Sequence, residues 1–220
     1  LWSISRKFDT SVDTIKSLNN LVSNNLVIDD IVYETDETLE EKRINRPLSI
    51  EGEKIAVKLV KKIKANIVYS SSYASSIASA KYFASVKKCN IVINSFLNDL
   101  RVGDLGNRNI QMLRFMQERN FDFKFNRGES LSDVNKRMNI AIDRILKKNS
   151  NKNIVIFTQK SAITGYLLDK LEKGYNLDDR LILSFNDKVI IDDANQDVNI
   201  IKICFEKGKI IDCDAIEMEK

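Results

Sequence analysis

The chain has 220 residues, of which 43% are apolar and 30% charged, and its formal net charge is +4. This composition is typical of a globular protein and excludes intrinsic disorder. The chain contains no histidine, which excludes Ser-His-Asp and Cys-His nucleophilic sites, histidine-based zinc sites and a phosphohistidine intermediate.

Other features narrow the classes of partner and cofactor. No dense block of Lys or Arg is present, so we expect no nucleic-acid partner. No apolar run is long enough to span a bilayer. Cys89, Cys204 and Cys213 are far apart and lack C-x-x-C spacing, so we expect neither a disulfide framework nor a zinc site, and no cofactor. The chain begins with Leu1 and shows no signal segment, so we expect a truncated or processed N-terminus.

Two short helices are predicted within the first thirty residues. Leu1 and Phe8 share one helical face, and Thr10 or Ser11 caps the next helix. A polar break and an extended stretch over residues 26–33 follow.

From there the pattern alternates between strands and helices, which favours an α/β sheet with helices on both faces. Helices are predicted over 53–64, from about 74 to 84, from Ser130 onwards, and from Ser161 towards 173. Strands are predicted over residues 66–69, 90–93, 153–158, 181–185, 188–191, 198–205 and 209–213.

Two helix ends carry specific signals. Ser130 and Asp133 resemble a capping box. The helix that they open has an apolar face made of Leu131, Val134, Met138, Ala141 and Ile145. Gly174 is the predicted C-cap of the helix that follows residue 161.

Residues 1–21, with the sequence LWSISRKFDTSVDTIKSLNNL, resemble a LysM domain. The resemblance implies a small βααβ module over residues 1–33. This module lacks the family's first strand, and it also lacks the Gly-Asp-Thr loop that borders the glycan groove in the family. It also implies binding to polymers of N-acetylglucosamine such as peptidoglycan, and a location in a bacterial cell wall, a spore envelope or the extracellular space. The glycan-binding positions implied are Leu1, Trp2, Asn20 and Leu21.

Residues 34–220 resemble the histidine phosphatase superfamily, also called phosphoglycerate mutase-like. Five signatures occur in the family's order: PLSIEG at 47–52, VYSSS at 68–72, LNDLRVGDLG at 97–106, GESL at 128–131 and IVIFT at 154–158. The resemblance implies a three-layer α/β/α domain. Its pocket would bind a phosphoryl group between arginines and histidines, with a carboxylic acid opposite.

The positions that carry this chemistry in the family hold other residues in this chain. By the resemblance, Thr35 replaces the nucleophilic histidine and Glu34 a phosphate-binding arginine. Ser75 replaces the second arginine, and Gln159 replaces the second histidine. Only Asp99 keeps the chemical type found in the family, a carboxylic acid. The loss of two cations would make such a pocket repel a phosphate dianion. Lys160, which follows Gln159, is expected to be a solvated lysine at the start of a helix.

Three functions compete on these residues. The first is a non-catalytic binding or scaffold protein with the phosphatase fold, attached to glycan through its LysM part, for which a protein partner is a further candidate. The second is a phosphatase of altered mechanism that uses Asp99 and Thr35. The third is a peptidoglycan-binding protein in which the second domain is a spacer. The second function predicts a well-ordered polar pocket around Thr35, Ser75, Asp99 and Gln159, whereas the first and third predict that this pocket is filled or collapsed.

Overall fold

The computed structural model describes residues 38–194 and 200–216. These residues lie almost wholly in the second of two units into which the chain divides, between Thr38 and Leu39. The helices and the extended stretch predicted for the first 33 residues fall outside the described residues. The same holds for the predicted glycan-binding positions Leu1, Trp2, Asn20 and Leu21.

The first part of the described chain contains α1 (Leu39–Asn45), α2 (Ile50–Lys62), β1 (Ile67–Ser70), α3 (Ala74–Lys87), β2 (Ile91–Ile93) and a 3-10 helix (Ser95–Leu97). Next come α4 (Ile110–Arg119), α5 (Leu131–Lys148), β3 (Ile154–Phe157) and α6 (Lys160–Leu167). The last part contains β4 (Glu172–Tyr175), β5 (Leu181–Phe185), β6 (Lys188–Asp192), β7 (Ile200–Glu206) and β8 (Lys209–Ile216).

A parallel sheet with strand order β2-β1-β3 lies at the centre of the domain. The register pairs Val68 with Val155, and both belong to a hydrophobic core that includes Phe83 of α3. The next pair in register, Tyr69 with Ile156, contacts a second and larger core formed mainly by α5, α6 and the antiparallel strands. Since successive residues of a strand point to opposite faces, these two cores cover the two sides of the sheet. The prediction of an α/β sheet with helices on both faces is confirmed.

The capping box predicted at Ser130 is confirmed. The Ser130 hydroxyl accepts a hydrogen bond from the Asp133 N–H, and the Asp133 carboxylate accepts one from the Ser130 N–H, both at 3.1 Å. The five apolar residues predicted to form the core face of this helix are all buried. The helix therefore packs on the sheet as its sequence pattern indicates.

Two signature loops touch through glycines. Gly103 has φ +71°, and a Cβ atom there would lie 2.4 Å from both the Asn126 carbonyl oxygen and the Gly128 nitrogen. A Cβ on Gly128 would lie 2.8 Å from the Val102 carbonyl oxygen. The loops are joined by the hydrogen bonds from Asp104 N–H to Asn126 and from Glu129 N–H to Arg101. Both glycines are required because the two backbones approach too closely for side chains.

The segment after α6 differs from the sequence prediction. The helix ends at Leu167, and Gly174 lies inside β4, paired with Ile182 of β5, so its predicted role as a C-cap is wrong. Antiparallel pairing with β5 overrides the local helical pattern. The strands predicted over 181–185, 188–191 and 209–213 are confirmed as β5, β6 and β8, and the described part of the strand predicted over 198–205 is confirmed as β7. β5 and β6 form an antiparallel sheet with β4, which was not predicted, and β7 pairs with β8. None of the helices in residues 38–194 and 200–216 is long and apolar enough to cross a bilayer.

The contact between the two signature loops predicts unequal costs for two glycine substitutions. Gly103 and Gly106 both have positive φ, but a Cβ atom on Gly106 would have no heavy atom within 4 Å. Alanine should therefore cost about 1–2 kcal/mol of backbone strain at either position, whereas Gly103→Ala adds a backbone clash. We expect Gly103→Ala to lower the urea unfolding midpoint clearly more than Gly106→Ala. Equal midpoints for the two variants would contradict the close approach of the loops.

Candidate functional site

Three of the five positions implied by the phosphatase resemblance lie after the carboxyl ends of the parallel strands. Ser75 is in the first turn of α3, which follows β1, and Gln159 is the N-cap residue of α6, which follows β3. Asp99 follows the 3-10 helix that comes after β2. Ligands of open α/β sheets bind at this edge. Glu34 and Thr35 lie outside the described residues.

The Gln159 side chain is held on both sides by serine hydroxyls. The Ser71 hydroxyl donates to Gln159 Oε1 at 3.2 Å, and Gln159 Nε2 donates to the Ser76 hydroxyl at 2.8 Å. Ser71 and Ser76 are both buried. Ser75 is only partly buried, and its backbone carbonyl accepts a hydrogen bond from the Ser79 hydroxyl. The structure therefore joins Gln159 to Ser76, and not to the neighbouring Ser75 named from the sequence.

Asp99 is 9% exposed and is bonded to an arginine that sequence reasoning missed. The Arg43 Nη2 group donates to Asp99 Oδ2 at 2.5 Å. The other carboxylate oxygen, Oδ1, is buried and has no hydrogen-bond partner among the described residues. Burial raises the pKa of Asp99 above its ordinary value of 3.8, and the Arg43 charge opposes this rise. The net result is a carboxyl group that holds its proton more tightly than an exposed one.

Arg43 belongs to a short polar chain that links α1 to the start of α3. Its Nη1 group donates to Glu40 Oε2 and to the Leu100 carbonyl, each at 3.0 Å. Glu40 Oε1 accepts a hydrogen bond from the Tyr73 hydroxyl at 2.8 Å. Burial, together with this bond to Glu40, raises the pKa of Tyr73. This series of hydrogen bonds holds the Arg43 guanidinium against Asp99 through contacts within the protein.

The loops on either side of Asp99 are tied to the strand ends. The Asn98 side-chain oxygen accepts hydrogen bonds from the N–H and the hydroxyl of Ser72, at 2.8 and 2.7 Å. The Thr158 hydroxyl donates to the Leu97 carbonyl at 2.5 Å. Residues from three parallel strand ends therefore form one connected polar network.

Arg137 of α5 fixes the backbone on which Asp99 sits. Its guanidinium donates to both carboxylate oxygens of Glu129, at 2.8 and 3.0 Å. It also donates to the carbonyls of Phe96, Asn98 and Asp99, at 2.8 to 2.9 Å. A guanidinium has five N–H donors, and each of them has an acceptor here. Glu129 belongs to the Gly-Glu-Ser signature, so a residue of that signature stabilises the fold here by binding Arg137.

Lys160 is the first residue of α6, as predicted, but its side chain is only partly exposed and its ammonium is bonded within the protein. Its ammonium donates to the Asp192 carbonyl at 2.7 Å and lies 3.4 Å from Asp193 Oδ1. Its side chain is 24% exposed. The expectation of a solvated helix-start lysine is therefore wrong, because the end of β6 supplies acceptors that no local sequence pattern reveals.

The described part of the site offers acid but no activated nucleophile. Ser71 and Ser76 bond to the neutral amide of Gln159, which cannot take up a proton and therefore does not activate a hydroxyl. The Asp99 carboxyl group can hold a proton, but its Oδ2 atom already accepts a hydrogen bond from Arg43. In residues 38–194 and 200–216, no three His, Cys, Asp or Glu side chains are grouped so that they could hold a metal ion.

The residues missed from the sequence are cations placed by long-range contacts. Arg43 lies 56 positions before Asp99, and Arg137 lies 41 positions after Phe96. Four of their eight hydrogen bonds go to backbone carbonyls, which leave no signal in the sequence. The only available hint was that a buried carboxylate at position 99 needs a counter-charge.

Comparisons with known proteins agree with both resemblances. The sequence model of the histidine phosphatase superfamily (branch 1) matches residues 34–195, and that of the LysM domain matches residues 1–33. No curated protein matches the chain.

Among solved structures, YhfR of Bacillus stearothermophilus has a TM-score of 0.52 at 16% identity, and the match covers 78% of this chain and 87% of that one. A mycobacterial glucosyl-3-phosphoglycerate phosphatase has a TM-score of 0.52 at 15% identity, and the match covers 59% of this chain and 69% of that one. At such identities the similarity concerns the fold alone.

The raised pKa of Asp99 predicts a specific pH dependence of stability. A carboxyl group with a raised pKa in the folded state contributes stability that is fully present below its unfolded pKa. That contribution is lost as the pH rises from about 3.8 through the raised value. An asparagine at position 99 does not titrate, so Asp99→Asn does not lose stability in this way. Its free energy of unfolding, relative to that of the parent chain, should therefore increase as the pH rises. The measurement is urea unfolding of both proteins at several pH values from 4 to 8.

Asp133→Asn is the matched control of opposite sign. The hydrogen bond from Lys124 is the main cause that lowers the pKa of Asp133. Its contribution is therefore present above the unfolded pKa and is lost as the pH falls through the lowered value. Relative to the parent chain, Asp133→Asn should become less stable as the pH rises. Parallel trends in the two variants would contradict the assignment of Asp99.

Proposed function

Because the chain belongs to the histidine phosphatase superfamily, we propose that its phosphatase-like domain is a non-catalytic binding or scaffold domain. The observation that carries this proposal is the arrangement at the family's catalytic positions. There Gln159 is held by Ser71 and Ser76, and the Asp99 carboxylate is held by Arg43. Groups that would act on a substrate in the family are engaged by this protein's own side chains.

The residue types support the same function. The family's nucleophile is a histidine, and this chain has none. By the resemblance, the two phosphate-binding arginine positions hold Glu34 and Ser75. Without these groups there is neither a nucleophile to attack phosphorus nor a fork of donors to stabilise the transferring group.

The signatures that the chain retains have structural roles. Gly103 and Gly128 allow two backbones to touch, and Glu129 fixes Arg137. Ser130 caps α5. These residues maintain the fold without taking part in chemistry, as expected for a scaffold.

A second candidate is a phosphatase of altered mechanism in which Asp99 supplies the acid and Thr35 the nucleophile. The observation in its favour is the raised pKa of Asp99, since acids of this kind occur at active sites. Against it, Arg43 holds one oxygen of the carboxyl group. A threonine hydroxyl also needs an activating base.

The LysM match at residues 1–33 supports the second half of the proposal. We infer that this module binds glycan containing N-acetylglucosamine, through Leu1, Trp2, Asn20 and Leu21. The chain would then be located in a cell wall, a spore envelope or the extracellular space. The phosphatase-like domain would present a binding surface there, with a protein as a candidate partner, or act as a spacer.

The proposal predicts no phosphatase turnover. The full chain, Asp99→Asn and Thr35→Ala should each release the aryl group of a generic aryl phosphate at the rate of the buffer alone. The reason is that neither an activated nucleophile nor the family's phosphate-binding cations are present. The measurement is a spectrophotometric time course from pH 4 to 9, with an unrelated phosphatase as the positive control.

One pattern of results would overturn the non-catalytic function. It is turnover by the unmodified chain that disappears in both Asp99→Asn and Thr35→Ala. That pattern would establish the second candidate. Turnover that is equal in all three proteins would identify a contaminating enzyme, and purification should remove it.

Glycan binding by the LysM part is tested separately. The full chain should sediment with insoluble peptidoglycan, and Trp2→Ala should weaken this binding by about tenfold or more, as expected for loss of an aromatic anchor. Val86→Ala, which truncates an apolar side chain that is 64% exposed in the other domain, is the control and should bind like the parent. Equal retention of both variants would show that Trp2 does not take part.

A further inference from the structure

A small cavity lies beside the family's catalytic positions and is distinct from them. Side chains of α4, α6 and the ends of β5 and β6 line it, and none of Ser75, Asp99 and Gln159 does. Its volume is about 30 Å³. Since one water molecule needs about 10–15 Å³ on this measure, the cavity has room for a small group and not for a large ligand.

The walls of this cavity carry more positive than negative charge. Four of its lining residues are cations (Arg43, Arg114, Lys160 and Arg180) and two are acids (Glu118 and Asp193). Three of the cations are already paired, as Arg43 with Asp99, Lys160 with Asp193 and Arg180 with Glu118.

Arg114 of α4 is the exception. It is partly buried, and it forms no hydrogen bond or ion pair within residues 38–194 and 200–216. Its charge lowers the pKa of the nearby Asp99, but Asp99 is bonded to Arg43 instead. A guanidinium carries five donors in a planar fork, so Arg114 presents a set of unused donors to the cavity.

Thr164 of α6 provides a second and independent observation. Its side chain lines the cavity and is 1% exposed, and its hydroxyl has no hydrogen-bond partner in the described part of the chain. Buried hydroxyls nearly always have a partner, because an unpaired one costs about 1–3 kcal/mol. An unpaired hydroxyl and an unpaired guanidinium in one small cavity indicate a missing acceptor.

We propose that this cavity binds the anionic group of a small ligand, a carboxylate or a phosphate. Both groups accept two parallel hydrogen bonds from an arginine fork and have further lone pairs for a hydroxyl. Arg114 supplies the free charge, and Thr164 donates from the floor of the cavity. The excess of cations in the lining stabilises the negative charge.

This site goes beyond the proposed function and does not depend on it. The two residues that it depends on, Arg114 and Thr164, belong to none of the five family signatures, and binding of an anion here requires no turnover. The result of the turnover test therefore does not decide this one. Whether or not the chain shows turnover, it can bind an anion here or bind none.

The test uses the full chain with sodium phosphate and sodium acetate as two separate probes. Each is titrated while sodium chloride keeps the ionic strength constant, because general screening acts on all surface charges. Binding should raise the thermal unfolding midpoint as the probe concentration increases, and calorimetric titration should give a matching affinity. The probe that binds identifies the group as a phosphate or a carboxylate.

Two variants locate the binding. Arg114→Gln should weaken it by about tenfold or more, because a charge-assisted hydrogen bond is lost. Thr164→Val should also weaken it, yet leave the free protein at least as stable, because a methyl group replaces an unpaired hydroxyl of the same size. Arg144→Gln removes an exposed cation from α5 and should bind like the parent.

Three results would overturn the site. The first is no rise of the midpoint with either probe in the unmodified chain. The second is an equal rise in the parent chain and in Arg114→Gln. The third is a clear destabilisation of the free protein by Thr164→Val, which would show that the hydroxyl already has a partner inside the protein.

Discussion

The Arg137 guanidinium is the interaction on which the arrangement of the site depends. It joins α5 to Glu129 and to the carbonyls of Phe96, Asn98 and Asp99 in and after the 3-10 helix. Without it the carbonyls of Asn98 and Asp99 would be partly buried acceptors that had lost this donor, which is costly. The backbone at Asp99 is therefore held by a contact within the protein.

The rest of the site is built from the same physical requirement, that buried polar groups find partners. Asp99 finds Arg43, and Gln159 finds Ser71 and Ser76. These partners are side chains of the protein itself, so the polar edge of the sheet is part of the folded framework. Within the described residues, Arg114, Thr164 and the Oδ1 atom of Asp99 are exceptions to this requirement, and for this reason they are more informative than the groups that are paired.

The sequence indicated the fold more completely than the site. Local patterns predicted the capping box at Ser130 and the strands that became β1 and β3, because short-range hydrogen bonds and short continuous apolar runs decide these elements. They failed at Gly174, where pairing with a distant strand outweighs the local pattern. At the site, the resemblance named Asp99 and Gln159 but not their partners. Arg43, Ser76 and Arg137 act through the tertiary structure, and no spacing along the chain reveals which acceptor a long side chain reaches.

The pair formed by Arg43 and Asp99 also limits what a change at a neighbouring position can achieve. A histidine in place of Gln159 would disturb the two bonds that the amide makes to Ser71 and Ser76, yet it would leave the arginine on the carboxylate of Asp99. The protonation of Asp99 and the side chain at position 159 are therefore set by separate partners, and a variant that alters one leaves the electrostatic surroundings of the other in place.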